Sequence, residues 1–148
     1  MATTYPQLDL DAQICFPLYA ATRAVTHTYG RLLADVGLTY PQYLTLLALW
    51  GAEDPLTVGE VGARLRLDSG TLTPLLKRLE ANGLVARIRD VTDERRVHVS
   101  LSTAGRRLKA RAAAVPACLM AASQCSIEEL VALTQQIQQL RDRVKAAA

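Results

Sequence analysis

A chain of 148 residues is long enough for one well-buried core and too short for two ordinary domains joined by a linker. Half of its residues are hydrophobic and 21% are charged, which excludes an intrinsically disordered chain; three cysteines with no CxxC or Cys/His pairing exclude a disulfide framework and a zinc cage, so neither metal nor cofactor is expected. The net charge of +3 is unevenly spread: residues 64–111 hold twelve basic side chains against five acidic ones, a local excess of seven, which leaves the rest at minus four.

The first residues, Met1 to Asp9, contain no basic n-region and no apolar h-region, and no run is long enough to span a bilayer. A cytoplasmic protein without a membrane partner is therefore expected. From about Asp9 to Val36 the apolar residues Ile14, Leu18, Ala21, Val25, Tyr29, Leu32 and Val36 recur at steps of three and four, the period of a long amphipathic helix. Gly37 is its C-cap, and Thr39-Tyr40-Pro41 starts a second helix whose run Tyr43 to Trp50 is apolar all round and so belongs in the core.

Gly51 to Leu56 reads as a turn. Thr57 with Glu60 three residues on forms a capping box for a short helix, Val58 to Leu65, and Asp68 or Ser69 caps the next, Thr71 to Ala81, with Leu72, Leu75, Leu76 and Leu79 inward. Two short helices joined by a tight turn make a helix-turn-helix, closed by Asn82-Gly83. Leu84 to Arg89 and Val97 to Leu101 alternate as strands around a charged tip, Asp90 to Arg96, which is a β-hairpin wing. A basic helix follows from Thr103 to about Ala114, a further helical turn begins at Pro116, and Ser126-Ile-Glu-Glu caps a last helix. In it Leu130, Leu133, Ile137, Leu140 and Val144 form a narrow seam that needs a partner.

The predicted fold is mostly α with a small β-hairpin wing: one domain, 1–148, with a winged lobe over about 40–112 flanked by dimerisation helices over about 9–36 and 116–146. Residues 67–85, LDSGTLTPLLKRLEANGLV, and 93–105, DERRVHVSLSTAG, closely resemble the DNA-binding lobe of the MarR family of regulators. That resemblance implies a homodimer on double-stranded DNA with an inverted-repeat operator. Ser69, Thr71, Thr73, Lys77 and Arg78 would contact bases and phosphates, and Arg95, held by Asp93, would enter a minor groove. Taken singly, each of these is more often a solvated surface residue. His27 and His98 read as packing or surface residues.

Cys15 stands near the start of the first helix, where the helix dipole favours the thiolate, the form that attacks a peroxide. Its surroundings, residues 10–23, together with Leu38-Thr-Tyr-Pro-Gln-Tyr43 and Cys125-Ser-Ile-Glu-Glu-Leu130, resemble the organic hydroperoxide resistance regulators within that family. This implies a repressor whose inducer is an organic hydroperoxide. Cys15 would be the peroxidatic cysteine, Tyr29 and Tyr40 of the other protomer would donate hydrogen bonds to it, and Tyr19 would lie nearby. The position expected to hold a resolving cysteine is Ala121, which departs from that pattern. Cys118 and Cys125 share its helical face if the helix is continuous, so either could resolve, Cys125 being slightly favoured for its context, or a low-molecular-weight thiol could cap the sulfenic acid. The competing readings are an inert buried Cys15, with a small aromatic ligand as the inducer, and, weakest, a thiol peroxidase, which has no need of a wing.

Overall fold

A computed structural model describes residues 5–147 and divides into two compact units, residues 1–113 and 114–148. Residues 1–4, part of the stretch read for a leader, and residue 148 lie outside the described residues. No helix among the described residues is long and apolar enough to cross a membrane.

The first unit begins with two 3-10 turns, Pro6–Leu8 and Leu10–Ala12, and helix α1 then runs from Cys15 to Leu32. The helix thus starts six residues later than the periodicity suggests. Asp9 spends its carboxylate on the amide of Asp11, capping the second turn, and Pro17 falls in the first turn of α1, where its missing N–H costs nothing. A third 3-10 turn, Ala34–Val36, ends on Gly37 in the left-handed conformation (φ 69°).

Helix α2, Tyr40–Trp50, opens with a capping box between Thr39 and Gln42 and buries Tyr43, Leu46 and Leu49 as expected. Strand β1, Leu56–Thr57, lies where the sequence suggested the end of a turn and a helix cap: two residues show no alternation, and only the pairing of Leu56 with Val99 and of Thr57 with His98 makes them a strand. Thr57 also caps α3, Val58–Leu65, through the capping box with Glu60. Arg66 makes the turn in the left-handed region (φ 56°), and α4, Ser69–Ala81, follows with Asp68 as its N-cap. Leu72, Leu76 and Leu79 of α4 are fully buried beside Leu33, Leu46, Val61 and Val99, while Leu75 is only half-buried. Strands β2, Val85–Arg89, and β3, Val97–Leu101, form the wing hairpin, and the antiparallel sheet is ordered β1-β3-β2. Helix α5, Thr103–Ala112, is capped by Ser102. The mostly helical fold with a small sheet is the expected class.

The second unit holds α6, Val115–Ser123, and α7, Ile127–Ala146, the latter capped by Ser126 and Glu129. Gln124 between them is left-handed (φ 55°). The helix is therefore not continuous through Cys125, and the expectation that 118, 121 and 125 share one helical face is corrected: Cys118 lies on α6, whereas Cys125 lies in the corner, its thiol directed at the Ser123 carbonyl at 3.4 Å.

Candidate nucleic-acid interface and thiol site

On α4 the buried leucines fix one face, and the flank beside it presents Ser69, Thr73 and Lys77 at steps of four. Ser69, Lys77 and Arg78 are exposed and Thr73 is half-buried. The Thr71 hydroxyl donates to Asp68 Oδ2 at 2.9 Å while the Thr71 amide donates to Oδ1, so its hydrogen serves the helix cap.

The wing is organised by two carboxylates. Asp90 accepts from the amide and hydroxyl of Thr92 (2.7 and 2.6 Å) and pairs with His98 Nε2 at 2.8 Å; these hydrogen bonds, those of Thr92 foremost, hold its carboxyl well below the usual carboxylate range. His98 is therefore a fastener of the hairpin, which its solitary place in the sequence did not reveal. Asp93 accepts from the Arg95 guanidinium at 3.1 Å and from the Arg95 amide, which likewise lowers its pKa, and the Arg95 side chain stands 91% exposed. The wing root is tied to α4 by Arg87, which donates to Glu80 through its backbone and, at 2.6 and 2.9 Å, through its guanidinium.

The basic excess of residues 64–111 divides in two. Six of the twelve cations have partners within the fold: Arg64, Arg106, Lys109 and Arg111 cap the carbonyls of Ala48, Leu101, Trp50 and Asp35, and Arg87 and Arg95 are ion-paired. Among the described residues the side chains of Arg66, Lys77, Arg78, Arg89 and Arg107 make no hydrogen bond or ion pair, and the twelfth cation, Arg96, interacts only electrostatically with Glu60 and Asp93. Their charge is available to a polyanion. Composition counts both sets alike, so sequence reasoning could not separate them.

Cys15 is the first residue of α1 and is exposed; no side chain caps that terminus, where the Phe16 amide donates to the Gln13 carbonyl at 3.2 Å and Pro17 has no N–H, so the thiol stands at the positive end of the helix dipole. Burial as the reason for an inert thiol is not found in the single chain. Cys118 is exposed and Cys125 half-buried, and all three thiols are free. Tyr29 and Tyr40 come together in one chain, their rings stacked at 4.5 Å, with Tyr43 at 5.8 Å from Tyr29. Burial raises both phenols above their ordinary pKa, so they keep their protons and act as hydrogen-bond donors. Fourteen residues of helix separate Cys15 from Tyr29, a rise of about 21 Å, so the two do not meet within one chain. Tyr19 is one turn from Cys15 and accepts a hydrogen bond from Arg23 at 2.8 Å.

The family profile described as transcriptional regulator SarA/Rot matches residues 27–112. The chain is 49% identical over 140 residues to the HTH-type transcriptional regulator TtmR of Methylorubrum extorquens, covering 95% of this chain and 71% of that protein. It is 46% identical over 130 residues to the organic hydroperoxide resistance transcriptional regulator of Bacillus subtilis, covering 88% of each. Among solved structures it is similar to AbfR of Staphylococcus epidermidis. Reduced AbfR bound to DNA superposes with a TM-score of 0.77 at 33% identity over 93% of this chain and 96% of that one; the disulfide form gives 0.61 at 36%, over 90% and 93%.

Proposed function

Given that the chain belongs to the MarR-type winged-helix transcriptional regulators and is a DNA-binding protein, we propose that it is a dimeric repressor that lets go of its operator when an organic hydroperoxide oxidises Cys15. The observation that carries this reading is the position of Cys15, an exposed thiol at the uncapped first residue of α1. The name of the Bacillus subtilis relative supports the choice of inducer, and AbfR, to which the chain is similar, has been solved in both a reduced and a disulfide form.

The dimer rests on two helices. Neither α1 nor α7 has a buried residue, and Leu133, Ile137 and Val144 of the last helix are 51%, 44% and 61% exposed. Helices with apolar stripes left in water are stabilised by a second copy, and a two-fold axis passing near Thr22 of paired α1 helices would set Cys15 opposite Tyr29 of its mate. Tyr40, stacked on Tyr29, would follow. Light scattering at micromolar concentration is expected to give the mass of two chains; a monomer would remove both the interface and the trans tyrosines.

On DNA, α4 lies in the major groove with Ser69, Thr71, Thr73, Lys77 and Arg78 towards bases and phosphates, and Arg95 reaches the minor groove with Asp93 as its brace. Arg95→Ala is expected to weaken operator binding by about 1 to 3 kcal/mol and to flatten its salt dependence, and Asp93→Ala to weaken it less. Wild-type affinity in both would set the wing apart from the groove.

Oxidised Cys15 is resolved by Cys118, by Cys125 or by a small cellular thiol. The reading is tested by selecting a binding site from random duplexes, measuring affinity before and after treatment with an organic hydroperoxide, and locating the new bond or adduct by mass spectrometry. Retained affinity with a fully oxidised Cys15 would end it.

A further inference from the structure

The proposed thiol site draws on three tyrosines, which have two different sets of partners in the structure. Tyr29 and Tyr40 stack on each other and are half-buried, with no cation bonded to either hydroxyl among the described residues. Tyr19 is 57% exposed, its oxygen accepts an N–H from Arg23 at 2.8 Å, and the guanidinium carbon lies 5.6 Å from its ring centre. Cys15, Tyr19 and Arg23 succeed one another at steps of four along α1, so they occupy one face, and side chains on a helix lean towards its N-terminus, here towards the thiol.

A phenol whose oxygen already accepts from a guanidinium has its own hydrogen free to give. We infer that Tyr19 is the proton donor to the leaving oxygen of the hydroperoxide and that Arg23 is the positioning residue that orients it for that task; this rests on the peroxide-sensing reading above. In the step, the Cys15 thiolate attacks the terminal oxygen of the hydroperoxide. The S–O bond forms as the O–O bond breaks, sulfur gives up two electrons, and the peroxide is reduced. The departing alkoxide takes the Tyr19 proton and leaves as the alcohol; sulfur keeps the transferred hydroxyl as sulfenic acid, and the Tyr19 phenolate regains a proton from water. Tyr29 and Tyr40, without a cation, hold their protons and serve the sulfur instead.

The proposal predicts a dependence on the leaving group that a packing role does not. An alkyl hydroperoxide expels an alkoxide and needs a proton, whereas a peroxycarboxylic acid expels a carboxylate and needs none at neutral pH. With tert-butyl hydroperoxide, Arg23→Gln and Tyr19→Phe are each expected to slow sulfenic acid formation about ten- to a hundredfold, the range of a lost general acid. With peracetic acid both should stay within about twofold of wild type. Arg23→Lys, which can still donate to the phenol oxygen, should recover part of the rate, and Arg23→Gln should add nothing to Tyr19→Phe. Sulfenic acid trapped by dimedone and counted by mass spectrometry gives the rates. Equal slowing with both oxidants, full additivity of the two substitutions, or an Arg23→Gln protein as fast as wild type overturns the proposal. A wild-type Cys15 inert to both oxidants overturns the sensing reading itself, a separate result.

Discussion

Cys15→Ser is expected to bind its operator as the wild type does and to keep that affinity after treatment with an organic hydroperoxide, where the wild type loses about a hundredfold. The serine hydroxyl has nearly the size of the thiol, stands on an exposed helix terminus and disturbs no buried contact, so the reduced protein should not register the change. It has no accessible two-electron oxidation, so the switch has no input. A hundredfold loss corresponds to about 2.7 kcal/mol, which a dimer can forfeit when its two reading heads shift against the half-sites and weaken contacts on both. Sulfenic acid by itself changes little; it is the following disulfide or mixed disulfide that draws the sulfur away from its tyrosine donors. Affinity measured by fluorescence anisotropy with and without hydroperoxide decides the matter. Should Cys15→Ser still release DNA, the thiol is incidental and a MarR-type regulator released by a small aromatic ligand takes its place.

Gly105→Ala is expected to destabilise the winged unit by about 3 kcal/mol or more, the range of severe overpacking. A Cβ at Gly105 would lie 2.0 Å from the Leu84 carbonyl oxygen and 3.1 Å from its carbon, and a backbone carbonyl cannot swing aside as a side chain can. That carbonyl is also fixed from the other side, accepting from the Ser102 amide at 3.0 Å. Gly105 in turn receives the Trp50 indole N–H on its own carbonyl at 2.9 Å and donates its amide to the Ser102 hydroxyl. A shift to relieve the clash would break the α5 cap and the clasp to α2 together, so stability and DNA binding should fall in parallel. Gly59→Ala is the control: its nearest neighbour would be 4.0 Å away in a helix, and the change should be neutral or stabilising by about 0.5 kcal/mol. Urea unfolding of the three proteins gives the comparison, and a Gly105→Ala protein as stable as the parent would mean that the approach of the Leu84 carbonyl to α5 is looser than the distances imply.

What the sequence alone determined is what depends on neighbours three or four residues apart. The capping boxes at Thr57 and Ser126, the leucine face of α4, the Asn82-Gly83 closure and the two strands of the wing are written in local spacing, and each is present. The pairing of Asp93 with Arg95 is of the same kind, two residues apart across a turn. The tertiary structure decided what rests on distant partners or on competition for one group. Strand β1 exists because Val99 and His98 of β3 lie beside it. Five cations of the basic segment are tied to carbonyls or to Glu80, partners that no short spacing links to them, Arg111 and Asp35 being 76 residues apart. The stacking of Tyr29 on Tyr40 joins two helices, and the start of α1 at Cys15 follows from Asp9 capping an earlier turn. Periodicity reports which face of a helix is apolar; it carries no information on where the helix must begin or which hydrogen bond an arginine will choose, because those depend on free-energy differences between alternatives that only the folded chain brings within reach.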